Sequence, residues 1–525
     1  MTREVRPEEV KAWLSDGDEI AFFDVREAGQ FGEGHPFFAI PLPYSVFEAR
    51  IATLAPNRRV RMVLMDGGDG IAQLAATRAG ACGYSDVAVM AGGAPAWAEA
   101  GYTLYQGVNL PSKTFGELLE LARHTPRISA EEVVAMSRDG TNHVIVDGRP
   151  ITEYSKFNIP GGICCPNGEL VLRIGEIAPD PETTIIVNCA GRTRSILGAQ
   201  TLIDFGVPNP VYALENGTQG WFLAGLDVET GADRFYPEAP GDDARRAELR
   251  AKARARAEAT GVAFVSADQV RAWWGEKDRT TYVFDVRTEE EYDPDRVVGV
   301  VHAPGGQLVQ ATDQWVGVKG ARIVVADDDL VRAPMVANWL HQLGHDVAVL
   351  EDGIAALEGR AFLPPPERLP PMPVELSARG LAGVLHGGGA NIIDLRASAA
   401  YRAGHIAGAR WSVRPRLDRL EIDKSKPIVL VGEQLVAALA AERLRELGMP
   451  DARRLAGDVT QWRAAGLELV ETPNDPPDSE RIDFLFFTHK RHDANEAAAR
   501  QYLEWEIGLV DQLDEQERDA FRIVA

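Results

Sequence analysis

Four short apolar strands, each ending in an aspartate with an arginine two residues later, recur along the chain: FFDVR (Phe22–Arg26), IVDGR (Ile145–Arg149), VFDVR (Val283–Arg287) and IIDLR (Ile392–Arg396). One such pentapeptide would mean little. Four of them, with Asp24, Asp147, Asp285 and Asp394 each about a domain length apart, mean duplication of one folding unit. The 525 residues agree, since roughly 100–200 residues per domain predicts three to five domains.

Each unit repeats one order of elements. A helix start comes first: RPEEV (Arg6–Val10), SAEEV (Ser129–Val133), SADQV (Ser266–Val270) or SARGL (Ser377–Leu381), with Ser129 and Glu132 spaced as a capping box. The DxR strand follows, then a second apolar strand (RMVLMD, TTIIVN, ARIVVA or KPIVLV), a loop, and a helix closed by Gly83, Gly206, Gly344 or Gly448. A further strand leads to GGAPAW, NGTQGW, DGIAAL or GDVTQW. Strands alternating with helices predict an α/β fold of βα units on a mostly parallel sheet, and continuous apolar runs suit strands buried on both faces. Right-handed crossovers gather the loops after the strands along one sheet edge, where a ligand is expected.

The units divide at 1–110, 111–235, 263–365 and 366–475, with a linker helix at 236–262 and a C-terminal helical extension at 476–525. The linker's ARRAELRAKARARAEAT reads as a solvated connector helix and Pro364–Pro373 as a proline-rich link. Asn495–Ala525 reads as an amphipathic helix packed on another domain or a subunit.

Composition narrows the function classes. Hydrophobic residues at 45% and DEKR residues at 25% exclude a mainly disordered chain. A formal charge of −23 disfavours a general nucleic-acid binder. No apolar run of about 18 residues marks a membrane span, and the acidic start MTREVRPEEV does not read as a secretory signal. Four cysteines cannot make a disulfide framework and suit a reducing cytoplasm.

The loop after the second strand separates the units chemically. Unit two reads NCAGRTRSI, with Cys189 where a strand ends and a helix is about to begin. Counting back from the closing glycine puts Gly67, Asp327 and Gly432 at that place in units one, three and four, so only unit two holds a thiol there. Amides of a tight loop and of a first helical turn favour an anion, and Arg192 and Arg194 add positive charge, so Cys189 is expected to work as a thiolate nucleophile. Ala190, Gly191, Thr193 and Ser195 would complete a cradle for a small oxyanion, Gly191 letting the loop turn its amides inward.

Other residues carry weaker signals. Arg149 could hold an anionic substrate, or pair with Asp147 as a charged lock between loops; the pair recurs in the three units without Cys, which favours the lock. Cys82, just before a closing glycine, reads as structural. Cys164 and Cys165 could serve as resolving thiols, although adjacent strand residues point to opposite sides. With no CxxC pair and no clustered histidine, a metal is not expected.

The DVR strand, GHIAGA at Gly404–Ala409, the CxxxxR loop at Cys189–Arg194 and the late glycine–tryptophan motif together resemble rhodanese domains. The chain is similar to a rhodanese-related sulfurtransferase with four tandem domains. That resemblance implies, for each unit, a mostly parallel five-stranded sheet flanked by helices. It implies that Cys189 takes a sulfane sulfur from thiosulfate or a similar donor, becomes a persulfide, and passes the sulfur to cyanide or a thiol, with no cofactor or metal. Ala190 through Arg194 match the rest of the active loop, and Arg194 matches the loop-closing arginine that shapes the anion cradle, with Arg192 beside it. Related phosphatases carry a loop one residue longer, so this one favours sulfur over phosphate. The sequence departs from the family in placing Gly191 two after the cysteine and Arg192 three after, where a glycine is common. The Cys-less units would be scaffolds, gates or docking surfaces. Readings of other classes are a persulfide relay that docks a protein acceptor, a phosphatase, and a mainly structural array. A homodimer is compatible with the C-terminal helix and the chain length.

Overall fold

The computed structural model describes residues 2–358, 368–489 and 495–524. Residues 364–367 of the proline-rich link, the boundary between units three and four, and Ala525 lie outside the described residues. A long helix, α1 (Leu110–Arg123), leads out of unit one. Unit two then forms five strands, β1 (Arg127–Ile128), β2 (His143–Asp147), β3 (Ile163–Cys164), β4 (Thr184–Asn188) and β5 (Val211–Leu214). They pair wholly in parallel in the order β1-β5-β4-β2-β3. The other units repeat this five-strand order, and unit four adds an antiparallel pair, His405–Ile406 with Leu469–Val470. The runs that form the central strands are β-branched and apolar, and every residue of β4 is buried.

Between these strands lie α2 (Ile151–Tyr154), α3 (Leu170–Ile177), α4 (Thr193–Phe205) and α5 (Gly217–Leu223). Gly206 ends α4 at φ +75°, and Gly83, Gly344 and Gly448 take positive φ at the matching places, so all four closing glycines are used for left-handed backbone. The linker forms α6 (Asp243–Ala259), whose cap Asp242 accepts from the amides of Ala244 and Arg245. It is solvated on one face only, because Leu249, Ala253 and Ala257 are buried against the core. In unit three, α7 (Gly305–Gln310) precedes α8 (Arg332–Gln342).

The units are not beads on a string. One apolar core runs through units one, two and three, including Phe47, Val187 and Leu340. Unit four keeps its own clusters and meets unit one through charge: Arg414, fully buried, donates to both oxygens of Glu48 at 2.5 and 2.7 Å and to the Tyr44 carbonyl at 3.0 Å.

The C-terminal segment binds the others together. The Ile482 carbonyl accepts from the Gly29 amide at 2.8 Å, and a Cβ on Gly29 would sit 2.6 Å from it. Next comes α9 (Glu496–Ile507), which lies over the active-edge loop of unit two with Tyr502, Leu503 and Glu506 buried. The expected amphipathic helix is thus shorter than 495–525. Asp514 caps a separate one-turn helix, Phe521 stacks on Phe115 of α1, and the Arg522 amide donates to the Gln342 carbonyl of unit three.

Candidate active site

The chain between β4 and α4, Cys189 to Arg192, is shaped from behind by NGTQGW. The Cys189 carbonyl accepts from the Thr218 amide at 2.8 Å and its hydroxyl at 3.0 Å, and the Ala190 carbonyl accepts from the Gln219 amide at 3.1 Å. Gly217 makes this approach possible at φ +56°, since a Cβ there would lie 2.5 Å from the Cys189 carbonyl oxygen. In a planar trans peptide the N–H points opposite to the C=O, so anchoring these two carbonyls turns the Ala190 and Gly191 amides the other way. Among the described residues, the amides of Ala190 to Ser195 find no protein acceptor. Cys189 Sγ lies 3.7 Å from Ser195 Oγ, whose hydroxyl donates to the Arg192 carbonyl at 2.7 Å. Cys189 is only 2% exposed, yet it lines a cavity of about 620 Å³.

The DxR pair is the lock. Arg149 Nε and Nη2 donate to the two oxygens of Asp147 at 2.8 and 2.7 Å, and Nη2 also reaches the Phe157 carbonyl at 2.9 Å. Asp24–Arg26, Asp285–Arg287 and Asp394–Arg396 repeat the pairing. Asp147 also accepts from Asn188 Nδ2 at 2.7 Å, which ties the lock to the residue before Cys189. Arg149 lines the cavity, with its Nε and Nη2 held by Asp147 and Phe157.

The two loop arginines differ. Arg194 grips Glu153 of α2 with two bonds, at 2.9 and 2.8 Å. Burial works against its charge, but Glu153 outweighs burial and the Cys189 and Asp147 charges add, so the guanidinium is held above its ordinary pKa. Arg192 points elsewhere. Its Nε and Nη2 donate to Glu117 of α1 at 2.7 and 2.9 Å, and Nη2 also pairs with Glu120. These two carboxylates tether Arg192, and with it the loop, to α1. Burial pushes Glu117 up to about 7, opposed by Arg192.

The C-terminal helix completes the wall. Glu506 Oε1 accepts from Thr193 Oγ1 at 2.9 Å and from Lys113 Nζ at 3.1 Å, and Lys113 also meets the Tyr502 hydroxyl. A Cβ on Gly191 would lie 3.0 Å from Glu506 Oε2 and 3.6 Å from Tyr502 Cε1. Gly191 thus faces the side chains of α9, which lie close over the loop backbone. Thr193 and Ser195 have their hydroxyls engaged within the protein, so their contribution to an anion comes from the backbone.

In the other units the same place is filled differently. Strand register pairs Asp24 with Met65, Asp147 with Asn188 and Asp285 with Ala326, so Asp66 and Asp327 stand where Cys189 stands; Gly67 was one residue too far. Asp66 accepts from the amides of Gly68 and Ala72 at 2.8 and 2.9 Å. Asp327 accepts from the amides of Val331, Arg332 and Ala333 at 3.1–3.3 Å, and burial pushes its carboxyl up to about 6. Units one and three thus fill their amide cradles with their own carboxylates. Gly432 brings nothing to that place in unit four.

All four cysteines are free and buried. Burial pushes the Cys164 thiol up to about 12 and the Cys165 thiol well above its ordinary value, which argues against either as a resolving thiol. Among the described residues no group of His, Cys, Asp and Glu could hold a metal, and no helix is long and apolar enough to cross a membrane. Glu117, Glu153, Glu506 and the third-unit wall of Gln307 and Gln310 had no mark in the sequence beyond ordinary helix patterning.

The model for the Rhodanese-like domain matches residues 6–100, 129–224, 266–359 and 377–465. The chain belongs to the rhodanese family. This rhodanese is 41% identical to a thiosulfate sulfurtransferase from Pseudomonas aeruginosa, whose crystal structure superposes with a TM-score of 0.91 over 100% of both chains. It is also 34% identical over 95 residues to the HTH-type transcriptional regulator Rv0324 of Mycobacterium tuberculosis, a match spanning 18% of this rhodanese and 41% of that protein. It is a multi-domain sulfurtransferase of the family, with four rhodanese-like domains.

Proposed function

We propose that this rhodanese moves a sulfane sulfur from thiosulfate, or a similar donor, through a Cys189 persulfide to cyanide or a thiol. The observation that carries this is the contrast between cradles: Asp66 and Asp327 occupy theirs, whereas among the described residues the amides around Cys189 have no acceptor. Those amides and Arg194 would receive the sulfonate oxygens of the donor. The Cys189 thiolate attacks the outer sulfur, the S–S bond of thiosulfate breaks, and sulfite leaves with the bonding pair. An acceptor thiolate then attacks the outer sulfur of the persulfide, and the Cys189 thiolate is regenerated. Neither step requires a general base or a cofactor. The catalytic unit is 111–235, extended by α1 and α9, and the other three units act as scaffold and walls.

A small acceptor suits the site better than a protein thiol, because Cys189 lies at 2% exposure in a cavity walled by five segments of the chain. Four unpaired cysteines favour a reducing cytoplasm as its place of work. Intact-mass analysis after thiosulfate tests the reaction. A gain of one sulfur, absent in Cys189→Ser and discharged by cyanide, is expected; turnover surviving in Cys189→Ser would refute the assignment.

A further inference from the structure

In units one, two and three, a residue just after the short edge strand makes the same backbone contact. The amides of Tyr44, Asn167 and Gly305 donate to the carbonyls of Val25, Gly148 and Val286, the middle residues of the DxR motifs, at 2.9, 3.2 and 3.2 Å. The side chains around this place differ. In unit three it is a glycine, and a Cβ there would lie 2.6 Å from Val336 Cγ2 and 3.5 Å from Val286 Cβ. In unit two it is Asn167, and glycines stand where the two valines stood. A Cβ on Gly148 would collide with Asn167 Oδ1, and one on Gly198 would lie 2.8 Å from it. Gly198 and Val336 correspond, since each precedes its closing glycine, Gly206 or Gly344, by the same number of residues. The unit that holds the thiol reads DGR instead of DVR because that glycine makes room for one asparagine side chain.

Asn167 Nδ2 donates to the Arg194 carbonyl at 2.8 Å, in the first turn of α4. Its Oδ1 is buried with no hydrogen-bond partner among the described residues. A leucine has nearly the same shape and no orphaned oxygen, so stability alone does not favour an asparagine here. The Arg194 carbonyl and the Ser195 amide belong to one planar trans peptide. Holding the carbonyl toward Asn167 turns the Ser195 N–H the opposite way, and that amide is one of those with no acceptor among the described residues. A donor on the carbonyl also polarises the N–H of the same peptide. Unit three backs the segment from outside. A Cβ on Gly306 of α7 would lie 3.2 Å from the Asn167 nitrogen, and one on Gly168 2.7 Å from the Gly306 nitrogen, so the two backbones meet directly.

We propose that Asn167 is a positioning residue for the donor half-reaction: through the Arg194 carbonyl it sets the Ser195 amide that receives a sulfonate oxygen of the donor. This rests on the sulfurtransferase reading above and deepens it. Asn167 does not line the cavity over Cys189, so it acts through the peptide it holds. When the Cys189 thiolate attacks the outer sulfur, a new S–S bond forms, the S–S bond of thiosulfate breaks, and its pair leaves with sulfite. Negative charge on the sulfonate side grows as that bond breaks, so an aimed and polarised amide contributes more in the transition state than to the bound donor. Attack by cyanide on the persulfide involves no sulfonate and does not draw on this contact.

The test uses the full chain, with thiosulfate as donor and cyanide as acceptor, and reads the two half-reactions separately. Asn167→Leu is expected to lower kcat/KM for thiosulfate about fivefold, as loss of one hydrogen bond does, and to leave kcat/KM for cyanide within about twofold of wild type. Asn167→Ala removes the same donor and adds no bulk, so it gives the same split even if the leucine packs poorly. A kcat/KM for thiosulfate that is unchanged in both variants, with or without a fall in thermal midpoint, overturns the proposal. So does an equal fall for thiosulfate and cyanide, which a merely structural residue would produce by loosening the loop. In both cases intact mass still shows the wild type gaining one sulfur at Cys189. A wild type that gains no sulfur from thiosulfate overturns the sulfurtransferase reading and the proposal with it.

Discussion

Glu153→Gln is expected to improve the enzyme's grip on its donor. Arg194 is the loop cation nearest in charge to Cys189, but its guanidinium is paired with Glu153 at 2.9 and 2.8 Å. A thiosulfate sulfonate must compete with that carboxylate. The arginine side chain is 12% exposed and the glutamate 38%, so the pair belongs at the upper end of the range for solvent-accessible ion pairs, about 1 kcal/mol. Removing the charge while keeping the shape should therefore lower KM for thiosulfate about fivefold, with cyanide as acceptor. The effect should fade at high salt, where the Debye length falls from about 10 Å at 0.1 M to about 3 Å at 1 M. Arg194→Met should raise KM by itself and erase the effect of Glu153→Gln, because the two act on one contact. An unchanged or higher KM in Glu153→Gln, or the same fall in the Arg194→Met background, would refute the reasoning.

Three further outcomes are expected. Gly191→Ala should change kcat for sulfur transfer by less than about threefold, because its Cβ meets only the movable tip of Glu506 at 3.0 Å and Tyr502 at ordinary contact distance; a loss of about tenfold or more would show that the loop has no such room. Arg414→Met should lower the first thermal transition, since it leaves Glu48 buried without its main partner, a loss of about 3 kcal/mol; an unshifted first transition in calorimetry would count against the unit one–unit four contact. Glu27→Gln should flatten part of the pH dependence of stability: burial raises the Glu27 carboxyl from 4.5 to about 7, so its stability contribution is full below about 4.5 and lost as pH rises through about 7. Melting temperatures of wild type and variant that decline in parallel across that window would contradict the assignment.

The sequence by itself determined the four α/β units, the sheet edge that carries their loops and the place of Cys189, because each rests on short-range features: apolar runs, closing glycines and a loop of fixed length. It also offered the Asp147–Arg149 lock as one of two readings, since its partners are two residues apart and recur four times. Counting from a glycine misplaced Gly67 by one residue, and only the ladder pairing of Asp24 with Met65 put Asp66 at the strand end. The tertiary structure decided what the charges do. Arg192 and Arg194 look alike in RTR, yet Arg192 meets Glu117 from α1 while Arg194 meets Glu153 of α2. Gly191 lies under Glu506 of the C-terminal segment, and Gln310 of unit three lines the cavity over Cys189. Local pattern encodes which elements form, but the partner of a buried polar group comes from segments tens to hundreds of residues away, and only their packing brings it within hydrogen-bond reach.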